Sequence, residues 1–357
     1  MDLITGENDN GRRLDRILRK ALPDHPLHLI HKLLRLERIL VNGKPGKAQD
    51  RIESGAVISI SFTNNLNKHD QRTNAQLKHP EKLNLKRESN ETKPGCTAEA
   101  MRTAKAVCVF NELEKMIIWQ DSGLIAFNKP KGLAVHGPCS LDTFARLYLK
   151  DKLPPSLSFN PGPLHRLDKP SSGIVMFSKS LEGARVFSSL MHERKIKKTY
   201  LAITEGSIEK EEIWQDEIVR DKDRKKTFIA VGRSSKTAVT RITPIKAAGG
   251  FSLISAEIFT GRTHQIRAQA AAHSHPLSGD LKYGGMADRE LEIMSKKSGK
   301  RRKNQEGNKA QLKQCADFFL HAWRLEFSEH LIEAPPPQEF SEMIDRLFGK
   351  IAYRFRT

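Results

Sequence analysis

The sequence predicts an α+β protein in which a small basic domain precedes a larger one, and three observations carry that reading. Short apolar runs of strand length are interspersed with amphipathic helices in no regular strand-helix-strand repeat, which favours α+β over a doubly wound parallel sheet. Two basic helices and a hairpin come first, and a polar stretch over 64–108 separates them from everything that follows. Lys and Arg number 61 against 42 Asp and Glu, a formal charge of +19 over 357 residues. That balance belongs to proteins that work on nucleic acid.

The elements justify themselves in order. In RRLDRILRKAL (12–22), Leu14, Ile17, Leu18, Ala21 and Leu22 share one face, with Arg12, Arg16, Arg19 and Lys20 outside it. This is the spacing of an amphipathic helix. LHLIHKLLRLERI repeats it, Ile30, Leu33 and Leu34 opposing His31, Lys32, Arg35 and Arg38, and runs into the tight-turn pair Asn42-Gly43. AVISISF then alternates Ile58, Ile60 and Phe62 with Ser59 and Ser61, the period of a half-buried strand. Residues 64–108, rich in Asn, Lys and Glu, read as a disordered or weakly helical linker. The expected division is 1–63, 64–108 and 109–357, the last carrying a solvated basic loop over 295–313.

In the larger domain, Ile117–Trp119 and Leu124–Phe127 flank an Asp121-Ser122-Gly123 turn, and Gly173–Phe177 reads as a buried strand. SLEGARVFSSLMHERK is helical with Val186, Phe187, Leu190 and Met191 inward. TYLAIT and GFSLISAEI are strands, and THQIRAQAAAHSH is a helix entered through Gly261.

Several classes are disfavoured. No run approaches the ~18 apolar residues of a membrane span, and no apolar stretch follows a basic N-terminus, so the cytosol is the expected compartment. Cys96, Cys108, Cys139 and Cys315 lie far apart without C-x-x-C, which argues against disulfides and zinc. Phosphate-loop, dinucleotide, H-E-x-x-H and G-x-S-x-G motifs are missing. His264, His273 and His275 crowd one region without a thiolate or carboxylate at ligand spacing, so ordinary hydrogen-bonded histidines are expected and no metal.

What stands out is PLHRLDKPSSGIVMFSKS (163–180), a carboxylate two residues from an arginine just ahead of an apolar strand. On spacing alone, an Arg166–Asp168 structural ion pair is the plain reading. HRLDKPSSG, however, resembles the HRLD-x-x-TSG signature of the RluA-type pseudouridine synthases, and further segments occur in that family's order: NKPKGLAVHG, KKTYLAITEG, TGRTHQIRAQAAAHSHPLSGD, then LHAWRLEF and APPPQEF. Together they span nearly all of 115–345. Residues 11–62, with RRLDRIL, ERILVNGKP and SGAVISI, resemble the S-four-like α-L RNA-binding domain that this family often carries in front.

The resemblance implies a catalytic domain built on a mixed, mainly antiparallel sheet, and isomerisation of uridine to pseudouridine in structured RNA without cofactor or metal. Large-subunit ribosomal RNA is the expected substrate, acted on by a protein that is monomeric by default. Asp168 matches the catalytic aspartate, Arg267 the basic residue that pairs with it, and Tyr200 the tyrosine that stacks on the target base. A guanidinium beside Asp168 would favour its ionised form. Arg166, with His165, matches the group that fills the gap left by a flipped nucleotide. Asn128, Lys129, Gly261, Arg262 and His264 match supporting positions, and Gly132 belongs to the same loop motif as Asn128 and Lys129. Arg12, Arg16, Lys32, Arg35 and Arg38 are the expected phosphate contacts of the N-terminal domain.

The sequence departs from the family pattern at Pro170 and Ser171, at Gln269 where a histidine is usual, and in the length of 64–108. These bear on substrate identity more than on activity. Three alternatives stay open at this level: a non-catalytic RNA-binding or ribosome-assembly factor, a synthase acting on transfer RNA, and a hydrolase using Asp168 with a nearby histidine.

Overall fold

The computed structural model describes residues 1–62, 112–285 apart from 222, 225 and 233, and 318–350. The expected linker over 64–108 and the basic loop over 295–313 lie outside the described residues, as do Cys96, Cys108 and Cys315.

The N-terminal unit contains β1 (Asp2–Ile4), β2 (Arg12–Arg13), α1 (Leu14–Ala21), α2 (Leu27–Arg35), β3 (Ile39–Val41), β4 (Lys44–Pro45), β5 (Arg51–Ile52) and β6 (Val57–Ile60). Helix α1 starts two residues later than the apolar pattern suggests, because Arg12 and Arg13 pair as a strand with β5. Both helices bury their predicted faces: Leu14, Ile17, Leu18, Ile30, Leu33 and Leu34 form one core with Ile39, Ile58 and Ile60. The β3–β4 turn has positive φ at Asn42 (48°) and Gly43 (79°), the pairing an Asn-Gly hairpin turn requires. Phe62 departs from the expected alternation. The strand ends at Ile60, and the exposed Phe62 ring lies against His25 at 5.1 Å.

The larger unit is one 11-stranded sheet. Its strands are β7 (Ile117–Gln120), β8 (Leu124–Lys129), β9 (Gly162–Pro163), β10 (Ser172–Ser178), β11 (Lys197–Glu205), β12 (Glu212–Asp221), β13 (Lys226–Ile229), β14 (Lys236–Ala248), β15 (Phe251–Ile258), β16 (Leu320–Phe327) and β17 (His330–Glu333). The order is β13-β12-β14-β15-β11-β16-β10-β8-β7, with β17 on β16 and β9 on β10. Among the described residues only β10 and β16 run parallel, and the other pairings are antiparallel. At that parallel seam Gly173 has φ +110°, and a Cβ there would sit 2.2 Å from the Ala322 carbonyl oxygen. No other residue allows the two strands to approach so closely beside the turn that carries Asp168.

Helices cover both faces of the sheet, which is why its central strands read as continuous apolar runs. On one face, α3 (Leu141–Leu149) and α5 (Gln265–Ala272) pack Leu141, Phe144, Leu149, Ile266 and Ala270 against Phe127, Val175, Phe177, Ile254 and Ala256. On the other, α4 (Leu181–His192) and α6 (Gln338–Phe348) set Phe187 against Ala126, Ile174 and Met176, and Phe340 and Ile344 against Leu201, Leu253 and Trp323.

Two local expectations are corrected. Val186 is 51% exposed: only the stripe of Phe187, Leu190 and Met191 meets the sheet, and its neighbour lies 100° around the helix. Helix α5 is entered at His264, in the left-handed region at φ 54°, not at Gly261. The Gln265 carboxamide oxygen accepts from Arg262 N (3.0 Å) and Thr260 Oγ1 (2.8 Å), so the loop is closed just before the helix and the sharp turn falls on His264. Among the described residues, no helix is long and apolar enough to cross a membrane.

Candidate active site

An open cleft lies on the α5 face of the sheet, with Arg166, Asp168, Ser171, Tyr200, His264 and Arg267 among the residues of its wall. They arrive from three places: Arg166, Asp168 and Ser171 from the loop before β10, Tyr200 from a strand, and His264 and Arg267 from the start of a helix. Asp168 sits in the loop before β10, in a turn closed by Ser171 N donating to its carbonyl (3.1 Å). Tyr200 comes from β11 and Arg267 from the first turn of α5.

Asp168 and Arg267, 99 residues apart, meet through Nη1 and Oδ2 at 3.2 Å. The ion pair expected within HRLD is therefore replaced by this one. Arg166 is exposed on the cleft wall and makes no side-chain bond among the described residues. Arg267 is held from behind by Asp280, Nε to Oδ2 at 2.7 Å and Nη2 to Oδ1 at 2.9 Å, and its guanidinium lies over Phe318 (4.2 Å) and Tyr283 (4.9 Å). Burial works against this cation, but Asp280 and Asp168 outweigh it and hold its pKa above the ordinary value.

His264 places Nε2 3.6 Å from the same Asp168 Oδ2 and Nδ1 2.8 Å from the Tyr283 hydroxyl. That hydroxyl oxygen accepts from Thr227 N (2.8 Å), so its proton is directed to Nδ1 and the imidazole carries its hydrogen on Nε2, toward Asp168. Burial lowers the His264 pKa against the pull of Asp168. Both basic neighbours of Asp168 address Oδ2, and Oδ1 has no hydrogen-bond partner among the described residues. Burial, then the Asp168 charge, raises the Tyr200 pKa far above the normal phenol range, so the ring presents a neutral hydroxyl.

Beneath the Asp168 turn lies Lys129, fully buried, whose Nζ donates to the carbonyls of Pro130 (2.9 Å), Leu133 (2.8 Å) and Lys169 (3.3 Å). Burial pushes its pKa down to about 7, against the attraction of Asp168. Gly132 N also donates to Lys169 O (2.9 Å), so Lys129 and Gly132 support this loop, whereas Asn128 Nδ2 donates to Pro335 O (2.9 Å), in the segment after β17. Arg262 is exposed at the rim, with Nε on Thr237 O (3.2 Å), and Gly261 faces open space.

Other expected residues are placed elsewhere. The His165 ring turns into the fold, accepting from Met176 N through Nε2 (3.1 Å), and burial pushes its pKa down to about 3; it does not line the cleft. Arg12 binds Ser158 across to the larger unit, while Arg16 and Arg35 are exposed on the N-terminal helices and Lys32 and Arg38 half-buried. Gln269 is wholly buried, accepting from Thr240 Oγ1 (2.6 Å) and donating to Asp216 Oδ2 (2.7 Å), and so seats α5 on the sheet. His273 meets Asp216 (3.1 Å) and His275 meets Glu205 O (3.0 Å), the ordinary partnering expected of them. Asp280, Tyr283 and Thr227 received no role from the sequence; the only signal was that Asp280 ends the PLSGD motif.

These elements define a pseudouridine synthase fold around an aspartate-arginine-tyrosine cleft. The family described as RNA pseudouridylate synthase matches residues 123–272. A large-subunit ribosomal pseudouridine synthase C of Vibrio vulnificus is 26% identical over 98% of this chain and 95% of its own. A synthase D of Neisseria meningitidis is 28% identical over 77% of this chain and 64% of its own. The solved structure of human RNA pseudouridylate synthase domain containing 4 shares the fold, with TM-score 0.52 and 23% identity over 68% of this chain and 97% of that one. The chain is an RNA pseudouridine synthase of the RluA type, similar to the C and D enzymes.

Proposed function

We propose that the chain isomerises uridines in large-subunit ribosomal RNA, with Asp168, Tyr200 and Arg267 as its catalytic residues. The observation that carries this reading is the convergence of Asp168, Arg267 and Tyr200 in one cleft, in a chain whose near full-length relatives are named for that substrate. The reaction breaks the glycosidic bond to nitrogen, turns the uracil, forms the bond to carbon, and moves one proton from that carbon to the nitrogen released. Asp168, through Oδ1, acts on the sugar or base, and Arg267 and His264 hold Oδ2. Tyr200 stacks on the uracil with a neutral hydroxyl available in the late proton transfer. Arg166, exposed on the cleft wall, takes the place of the flipped nucleotide, since a guanidinium plane both stacks and bonds phosphate.

Residues 1–63 are proposed as an S-four-like RNA-binding domain, 64–108 as a linker and 109–357 as the catalytic domain, acting in the cytoplasm. Two basic helices on a small sheet support the first of these, Arg16 and Arg35 being exposed. The test is pseudouridine mapping by carbodiimide labelling on total RNA from cells with and without the gene, complemented by wild type or Asp168→Asn. Stops in ribosomal RNA that vanish on deletion and return only with wild type are expected. Return with Asp168→Asn would remove that residue from the chemistry, and stops lost only from transfer RNA would replace the substrate.

A further inference from the structure

The N-terminal unit is latched to the larger one around a buried carboxylate. Asp9 is wholly excluded from solvent and accepts from Gly6 N on its own turn (3.0 Å). Across the junction it accepts from Ser156 Oγ (2.8 Å), Leu157 N (2.9 Å), Ser158 N (3.0 Å) and Ser158 Oγ. Burial works to raise its pKa, and these bonds outweigh burial and keep it below the ordinary carboxylate value. Beside it, Asn8 Oδ1 accepts from Leu181 N, in the first turn of α4 (2.8 Å), and Arg12 Nη1 donates to Ser158 O (2.9 Å) and Ser158 Oγ (3.0 Å). Leu157 packs into the N-terminal core, and a Cβ on Gly6 would come within 2.0 Å of Pro155 O.

This latch has an electrostatic consequence. The turn that carries Asn8 and Asp9 meets the first turn of α4, and Arg16 of α1 and Arg185 of α4 both lie within electrostatic reach of Arg12. Arg12 is balanced by Asp9. Arg16 and Arg185 are exposed, and neither forms an ion pair among the described residues. Like charges gathered by a rigid contact and left without acidic partners make a site for an anion. Two arginines on two helices suit successive phosphates of a strand better than one compact anion.

We propose that Arg16 and Arg185 form a composite phosphate-binding seam that grips the RNA backbone across the junction, with Asp9 fixing their relation. The seam extends the RNA-modifying reading above and rests on it. It makes the offset between the N-terminal anchor and the cleft a property of the folded protein rather than of the intervening sequence.

The test uses the full-length chain and an unmodified large-subunit ribosomal RNA transcript, with binding followed from about 50 to 200 mM salt. Arg16→Glu and Arg185→Glu should each weaken binding several-fold and lower the slope of log affinity against log salt by about one. Lys210→Glu, the same charge change on an exposed residue outside the junction, should leave the slope near wild type. Asp9→Asn should flatten the slope as the two arginine variants do, because the amide cannot accept all the bonds of the latch. Unchanged melting temperatures for Arg16→Glu and Arg185→Glu show that folding is not the cause. Slopes for both that match Lys210→Glu would overturn the seam. If wild type forms no pseudouridine in the transcript, the functional reading fails, while the slopes still decide whether the seam binds RNA.

Discussion

Asp280 occupies two nitrogens of Arg267 and leaves Nη1 for Asp168: Nε and Nη2 donate to the Asp280 carboxylate at 2.7 and 2.9 Å, and Nη1 reaches Asp168 at 3.2 Å. A bidentate pair fixes the plane of a guanidinium, so Asp280 sets the direction from which Arg267 addresses Asp168. Asp280→Asn keeps the shape but removes the charge and replaces one acceptor with a donor. The single-turnover rate should fall by about 10- to 100-fold while RNA affinity stays within a few-fold, because the error is one of position. The buried guanidinium, short of its counter-charge, should also lower stability by about 3 kcal/mol. A loss of affinity as large as the loss of rate would place Asp280 in RNA binding instead.

The Tyr283 hydroxyl, bound by Thr227 N, fixes the tautomer of His264, and that tautomer puts an N–H toward Asp168. Tyr283→Phe leaves Thr227 N unpaired and the imidazole free to carry its hydrogen on either nitrogen. The expected effect is about a tenfold loss of kcat with little change in KM. His264→Gln, which retains an N–H, should keep more of the rate than His264→Leu, and the comparison is made by steady-state assay. Wild-type rates in both would show that His264 fills space only.

How much of this was legible follows from what kind of signal each residue leaves. The helices around Leu14 and Ile30, and the buried strand at Gly173–Phe177, were readable because burial imposes a period on adjacent residues. Asp168, Tyr200 and Arg267 carry no such local signal, and only the order of several motifs pointed to them. Asp280 and Tyr283 were missed because they act on side chains that the fold returns to them after α5, a relation without a sequence period. Arg12 and His165 were misplaced for a related reason. Residue type suggested a surface cation and a base-contacting ring, whereas Ser158 and the Met176 amide had already engaged them.

Lys129 joins three carbonyls of two loops, and Lys169 among them follows Asp168 directly. Its three N–H groups match three acceptors, so Lys129→Met should leave the Pro130 and Leu133 carbonyls unpaired, while Lys169 O keeps Gly132 N. The penalty should be about 2–4 kcal/mol in denaturant unfolding, the unmet acceptors at ~1–3 each less the gain from removing a buried cation. Because the Asp168 loop loosens, the rate should also fall in protein that is still folded. A variant as active and as stable as wild type would mean that the loops hold themselves.

His321 links β16 to the active-site seam in its neutral form. Ser172 Oγ donates to Nδ1 (2.9 Å) and Nε2 donates to the Ala334 carbonyl (3.0 Å), so both ring nitrogens are already used in the neutral form. Burial pushes its pKa down to about 4 from 6.5. The unfolded chain therefore takes up a proton that the folded chain refuses, and the stability this histidine permits is complete above 6.5 and lost as pH falls toward about 4. The loss amounts to about 1.4 kcal/mol per pH unit within that window, and His165, lowered to about 3, acts in the same sense. His321→Gln cannot titrate, so urea midpoints measured from neutral pH downward should fall less steeply than in wild type, by about one proton's worth of slope. Parallel curves would mean that His321 accepts its proton within the fold. A shallower curve would establish that His321 takes up its proton only on unfolding, at the parallel β10–β16 seam that begins at Ser172, directly after the Asp168 turn.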